Sequence, residues 1–210
     1  MLLELDHITV AARTLEEGVA HVEDALGVRL SGGGKHRQMG THNKLLRLGD
    51  DLFLEVIAVD PEAPAPANPR WFALGQPETW ERLHKPAVWT WVVRTASPLT
   101  QFTSDRGFAG DIQTISRDAL SWQMLLANDG SMQAEGAWPT LIRWPPGVHP
   151  LTSLEKSGCT CERLMVMHPR AGQFTDSLGS VLADERLRFI EAPSKSLQLV
   201  VNTPFGERVL

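Results

Sequence analysis

The period of hydrophobic positions changes twice in the N-terminal part of the chain. Residues 3–11 alternate and predict a strand. Thr14 then stands where a helix N-cap is expected, and Glu17, three residues on, completes a capping box. Leu15, Val19, Val22 and Leu26 recur at helical spacing, and Gly27 supplies a left-handed stop. Gly32-Gly33-Gly34 predicts a loop. Residues 45–48 and 52–59 predict two strands joined by a turn at Gly49-Asp50-Asp51. A further short strand near 28–31 or 36–39 makes the order β-α-β-β-β.

Residues 60–70 are proline-rich and predict an extended connector, followed by a short helix over 76–84. The first pattern then returns. Residues 87–95 predict a strand, 97–106 a helix opened by Ser97-Pro98, and 112–117, 120–127 and 139–144 three more strands. A third, incomplete copy follows: strand 161–167, helix 171–183, strands 187–191 and 196–201, and a turn at Pro204-Phe205-Gly206. Self-similarity at this scale argues for a duplicated unit rather than a solenoid. The expected organisation is a first module over 1–60, a connector with a short helix over 61–86, a second module over 87–150 and a C-terminal partial module over 151–210.

Composition narrows the function classes. A chain of 210 residues with 42% hydrophobic and 21% charged positions has an ordinary soluble, core-forming balance. A net charge of −5 gives no electrostatic case for nucleic acid or an anionic membrane. No apolar run approaches the roughly 20 residues of a spanning helix, and no basic region with a cleavage site opens the chain. The expected location is the cytoplasm. Cys159 and Cys161, one residue apart, lack the geometry of a disulfide and the spacing of a zinc knuckle or redox motif, which predicts two reduced thiols. Glycine-rich phosphate loops and nucleophile elbows are absent.

The candidate chemistry lies in two apolar runs. His7 interrupts one and Glu55 the other. A carboxylate in such a run costs several kcal/mol unless it is paired. Its partner is either the neutral imidazole or a metal ion held by both. His42, opening the strand beside the one that carries Glu55, is the candidate third ligand. With it the set becomes two histidines and one carboxylate with open positions, suited to Fe, Mn, Ni or Zn. Without it, His7 is a core histidine bonded to Glu55. Asn43 and Arg143 are candidate ligand contacts, Arg143 as a receptor for a carboxylate or phosphate. Trp89, Trp91, Trp122 and Trp144 are strand residues that pack the core or line a cavity. His149 and His168 each precede a proline and are read as structural, His36 as facing solvent or a cavity mouth, and His21 and His84 as surface residues.

The segments Leu5-Asp6-His7, Gly40-Thr41-His42-Asn43-Lys44-Leu45-Leu46, Leu54-Glu55-Val56-Ile57-Ala58 with Asp60-Pro61, and Leu141-Ile142-Arg143-Trp144 with His149-Pro150 occur in an order and spacing that resembles the vicinal oxygen chelate superfamily. Within it, the chain is most similar to glyoxalase-like domain proteins. The resemblance implies an α+β fold of tandem βαβββ modules forming cupped mixed sheets around a ligand cavity, with the C-terminal partial module attached. It implies a divalent metal held on the first and last strand of each module. His7 and Glu55 match those positions in the first module. In the second they fall near Trp89 or Thr90 and on or beside Arg143, which are not ligands. The implied function is binding of a small oxygen-rich or anionic ligand, with metal-assisted lyase, isomerase or dioxygenase chemistry in which Glu55 or His42 moves the proton. The alternative is a non-catalytic protein of the same fold that sequesters a small or drug-like molecule between tryptophan walls. Sheet edges of this fold invite pairing, so a homodimer is expected.

Overall fold

The computed structural model describes residues 2–102, 107–117 and 120–210. The alternating N-terminal run forms β1 (Glu4–Ala11), and the capped stretch forms α1 (Leu15–Leu26). The Thr14 hydroxyl accepts from Glu17 N at 3.2 Å, and Gly27 closes the helix at φ 72°. Next come β2 (Ser31–His36), β3 (Thr41–Leu48) and β4 (Leu52–Val59). The three glycines expected as a loop are therefore part of a strand. A Cβ on Gly33 would lie 2.1 Å from Asn43 O, so only glycine lets β2 approach β3 this closely.

The connector carries α2 (Pro77–Arg82), and the second half contributes β5 (Ala87–Arg94), β6 (Asp111–Arg117), β7 (Leu120–Leu126) and β8 (Thr140–Arg143). Of the helix expected over 97–106, the described part is only a short 3-10 turn at Leu99–Gln101, and residues 103–106 lie outside the described residues. The C-terminal part forms β9 (Thr160–Met167), α3 (Ala171–Leu178), β10 (Leu187–Ile190), β11 (Ser196–Thr203) and β12 (Gly206–Val209). The turn expected at Pro204-Phe205-Gly206 joins β11 to β12, a strand beyond the expected elements.

Strands β1 to β8 make one mixed sheet in the order β2-β3-β4-β1-β5-β8-β7-β6. The order reads as one four-strand set and its mirror image, joined where β1 meets β5 antiparallel. In each set the first strand pairs with the last in parallel, β1 with β4 and β5 with β8. The sheet curls until its outer strands approach. Gln38 spans the gap: its Oε1 accepts from Ser116 N at 2.9 Å and its Nε2 donates to Thr114 O at 3.4 Å.

Curling gives the sheet two unlike faces. The convex face joins Ile8, Val10, Leu54, Val56 and Trp91 to α1, α3 and the small sheet β10-β9-β11-β12 in one continuous core. The concave face carries a second cluster built from Ile57, Trp71, Phe72, Trp122, Met124 and Ile142. Cys159 and Cys161 are both buried free thiols, and burial pushes Cys161 up to about 12, so neither is a ready nucleophile. Among the described residues, no helix is long and apolar enough to cross a membrane.

Candidate functional site

Strand parity assembles the site. The register pairs His7 with Phe53 and Thr9 with Glu55 across β1 and β4, and Asn43 with Ile57 across β3 and β4. His7, Thr9, Asn43, Phe53 and Glu55 thus share the concave face. His7 and Glu55 are each 5% exposed. Glu55 Oε1 accepts from Asn43 Nδ2 at 2.6 Å, and Oε2 accepts from the Thr9 hydroxyl at 3.2 Å. His7 Nε2 lies 3.7 Å from Glu55 Oε2, and the imidazole stacks on Phe53 with ring centres 4.7 Å apart. A buried carboxylate is tolerated here because two neutral donors satisfy it.

Behind His7 sits Asp6, fully buried. Consecutive strand residues ordinarily point to opposite faces. The β1–β5 register shifts between Leu5 and His7, and this irregularity turns both side chains toward each other. Asp6 Oδ1 accepts from His7 Nδ1 at 2.6 Å, while Oδ2 accepts from His149 Nε2 at 3.0 Å and Trp144 Nε1 at 2.9 Å. Burial pushes Asp6 up, but the hydrogen bonds from His149 and His7 outweigh it and hold the carboxyl well below the usual carboxylate range. An ionised Asp6 keeps the proton on His7 Nδ1. In the neutral ring the lone pair is then on Nε2, facing Glu55.

The opposite half of the sheet closes the cavity. Its lining includes Arg117 of β6, Trp122 and Met124 of β7, Ile142 and Trp144, with Trp71 and Phe72 from the connector. The cavity holds about 20 Å³, enough for one water molecule or slightly more. Arg117 Nη1 donates to Asn43 Oδ1 at 3.1 Å, which ties the guanidinium to the amide that grips Glu55. His36 is 1% exposed, and burial pushes its pKa down to about 4, so it is neutral. The Trp122 indole Nε1 is buried without a hydrogen-bond partner among the described residues. The cavity therefore presents two basic atoms on one wall, and a cation and tryptophan rings on the other.

Several expectations change. His42 is one residue from Asn43, so strand alternation turns it to the convex face. Its partners across the sheet are Lys35 and Ala58, and its Nε2 is buried without a hydrogen bond. It does not join His7 and Glu55. Arg143 alternates with the cavity residues Ile142 and Trp144 and reaches Gln123 Oε1 and Ala96 O, each at 3.4 Å, outside the cavity. The cation that lines the cavity is Arg117 instead. Trp122 and Trp144 line the cavity, whereas Trp91 lies in the convex core and Trp89 donates to Phe72 O at 2.9 Å. Of the two places expected for His36, solvent or the cavity mouth, it takes the cavity side and is buried in its wall, and His149 binds Asp6. His168 has its ring against Phe174, and His21 and His84 are exposed, as expected.

The fold implies a divalent metal, and the donor set tests it. A spacing of 3.7 Å between His7 Nε2 and Glu55 Oε2 is one that a single ion could bridge. Among the described residues, no third histidine, cysteine, aspartate or glutamate completes a group. The second half offers Ile142, Met124 and two tryptophans instead. Two protein donors seldom hold a resident divalent metal on their own, so among the described residues the donor set does not fit that group.

Comparisons agree with the architecture. A family model described as a glyoxalase-like domain matches residues 5–182. A hypothetical protein from Staphylococcus aureus has a similar structure, with a TM-score of 0.60 at 14% identity over 93% of this chain and 88% of that one. Methylmalonyl-CoA epimerase from Mycobacterium tuberculosis aligns with a TM-score of 0.44 at 16% identity, over 68% of this chain and 88% of that one. A variant of the Streptomyces coelicolor methylmalonyl-CoA epimerase in complex with 2-nitronate-propionyl-CoA aligns with a TM-score of 0.44 at 14% identity, over 71% of this chain and 99% of that one. No curated protein matches in sequence. A family match running from the first strand into the C-terminal part, on a curled sheet of two mirrored halves, makes this chain a member of the glyoxalase-like domain family.

Proposed function

We propose that the concave cavity binds the head group of a small oxygen-rich anion and that Glu55 and His7 move a proton on it. The observation that carries this reading is the facing of Glu55 Oε2 and His7 Nε2 at 3.7 Å inside an aromatic-walled cavity. Glu55 is the base: Asn43 and Thr9 aim its oxygens without neutralising them. His7, with its Nδ1 proton committed to Asp6, offers Nε2 to receive or share that proton. Arg117, on the cavity wall, supplies the countercharge. A space of about 20 Å³, the room of about one water, takes one ligand oxygen, with the rest of the ligand beyond it. The divalent metal expected from the family (Fe, Mn, Ni or Zn) has no role in this reading, because among the described residues its donor set is incomplete.

A second reading, a non-catalytic binding protein, draws on the aromatic walls of Phe53, Trp71, Phe72, Trp122 and Trp144. Both readings predict binding, and they part over chemistry. Pairing of two copies through a sheet edge falls to β10 or β12, because Gln38 bridges β2 and β6.

Calorimetric titration with a panel of short 2-oxo and 2-hydroxy carboxylates tests the binding step. The expected result is saturable binding by at least one of them, weakened tenfold or more by Arg117→Ala in a variant that keeps its fold by circular dichroism. Absence of binding across the panel, or equal affinity in Arg117→Ala, contradicts the proposal.

A further inference from the structure

The loop after β8 meets the candidate site at a single atom. Two of its side chains reach the same oxygen of buried Asp6: Oδ2 accepts from Trp144 Nε1 at 2.9 Å and from His149 Nε2 at 3.0 Å. Between them lies a turn that proline and glycine impose. Val148 N donates to Pro145 O at 3.1 Å across Pro146-Gly147, and Gly147 takes φ 75°. The indole and imidazole rings at the two ends of this turn sit edge to face with centres 5.4 Å apart. Arg94 Nη1 lies 3.8 Å from the same oxygen, beyond hydrogen-bonding reach, and is committed to Leu5 O at 3.0 Å and Asp51 O at 2.8 Å. Arg94 therefore adds charge near Asp6 without directing it.

The protons in this series of groups are set from its outer end. A residue before proline is driven to extended backbone. His149, at φ −160° and ψ 143°, accordingly stands as the N-cap of the 3-10 turn Pro150–Thr152, and its Nδ1 accepts from Leu151 N at 3.3 Å. A backbone N–H can only donate, so Nδ1 carries no proton and the ring's single proton is on Nε2, toward Asp6. The Trp144 indole likewise only donates. Asp6 Oδ2 thus receives two donors from the loop, and Oδ1 is left to accept from His7 Nδ1 at 2.6 Å. The hydrogen bond made by one nitrogen of a neutral imidazole decides the state of the other. His7 and His149, on either side of one carboxylate, therefore hold opposite tautomers.

We propose that His149 is a positioning residue for His7: acting through Asp6 and together with Trp144, it fixes the tautomer that turns a bare Nε2 toward Glu55. The use of that Nε2 in proton transfer rests on the proposed function, whereas the tautomer does not. Long-range ¹H–¹⁵N correlation on protein with ¹⁵N-labelled histidines tests the tautomers at pH 8, where an ordinary histidine is neutral. The two rings are assigned by their loss in His7→Gln and His149→Phe. In the native protein His7 is expected as the Nδ1–H form and His149 as the Nε2–H form. His149→Phe keeps a ring but no donor, and in it a second form of His7, protonated on Nε2, should appear. His149→Gln, whose amide can donate to Asp6, should keep the native His7 signature. Trp144→Phe should act in the same direction as His149→Phe, and it serves as the test where His149→Phe does not fold by circular dichroism. His7 protonated on Nε2 in the native protein, or a His7 signature unchanged in both Phe variants, overturns the inference. With an anion on which the protein exchanges a proton, His149→Phe should lower kcat about tenfold or more with KM little changed, and His149→Gln should keep most of the rate. A rate indifferent to His149→Phe while the His7 tautomer responds upholds the positioning and contradicts the proton-transfer reading instead.

Discussion

At the scale of single residues, burial sets the site's response to pH. His36 has a pKa of about 4 in the fold against 6.5 for an exposed histidine. Between those values the unfolded chain binds more protons than the folded one, so stability falls as pH drops from about 6.5 to 4. At 1.36 kcal/mol per unit the loss from this residue is at most roughly 3 kcal/mol. Asp6 acts in a different window. Its folded pKa lies below 3.8, so its contribution is present above that value and is lost only at lower pH. Urea unfolding at pH 7, 5.5 and 4.5 should show the His36 slope, and His36→Gln should flatten it. An unchanged slope in the variant contradicts this assignment. His7 and Glu55 were legible in the sequence because an ionisable residue in an apolar run needs a partner. The surroundings of Asn43, His36 and Arg117 were not, since what they touch depends on strand register and on a second half of the sheet distant in sequence. His42 shows how fine the distinction is: one position along β3 decides between the cavity and the convex face.

At the scale of elements, the first strand and helix were legible nearly to the residue. The Thr14 cap, the helical spacing and Gly27 are local signals, and each is met by local geometry. Two features of the first module follow from close approach and leave no local trace. The glycines of β2 read as a loop until β3 is placed beside them. Gly18, inside α1, reads as a weakness worth about 1 kcal/mol relative to alanine. In the fold, a Cβ there would lie 2.6 Å from Val56 Cγ1 and 2.9 Å from Ala12 Cβ. Overpacking typically costs about 1–3 kcal/mol, which outweighs the gain in propensity. Gly18→Ala is therefore expected to lower the unfolding free energy by about 1 kcal/mol or more in denaturant titration. A stabilised variant would show that α1 does not sit this close to β4. The irregularity that turns Asp6 toward His7 is equally invisible in sequence, because it is a property of the β1–β5 pairing.

At the scale of the whole molecule, duplication does two jobs. It curls one sheet into a cup, and it supplies two unlike walls: basic and hydrogen-bonded from the first half, cationic and aromatic from the second. The C-terminal sheet packs on the convex face, and among the described residues it contributes nothing to the lining of the central cavity. The central claim is that this cavity moves a proton on a small anion with protein groups alone. It is tested most directly by proton exchange in D₂O on chelator-treated protein, followed by ¹H NMR of C–H groups adjacent to the carbonyl or carboxylate of the anion that binds most tightly. The account predicts exchange that persists after metal removal and falls a hundredfold or more in Glu55→Gln. Exchange that vanishes on chelation and returns with added Fe, Mn, Ni or Zn, or that is equal in Glu55→Gln, would contradict it.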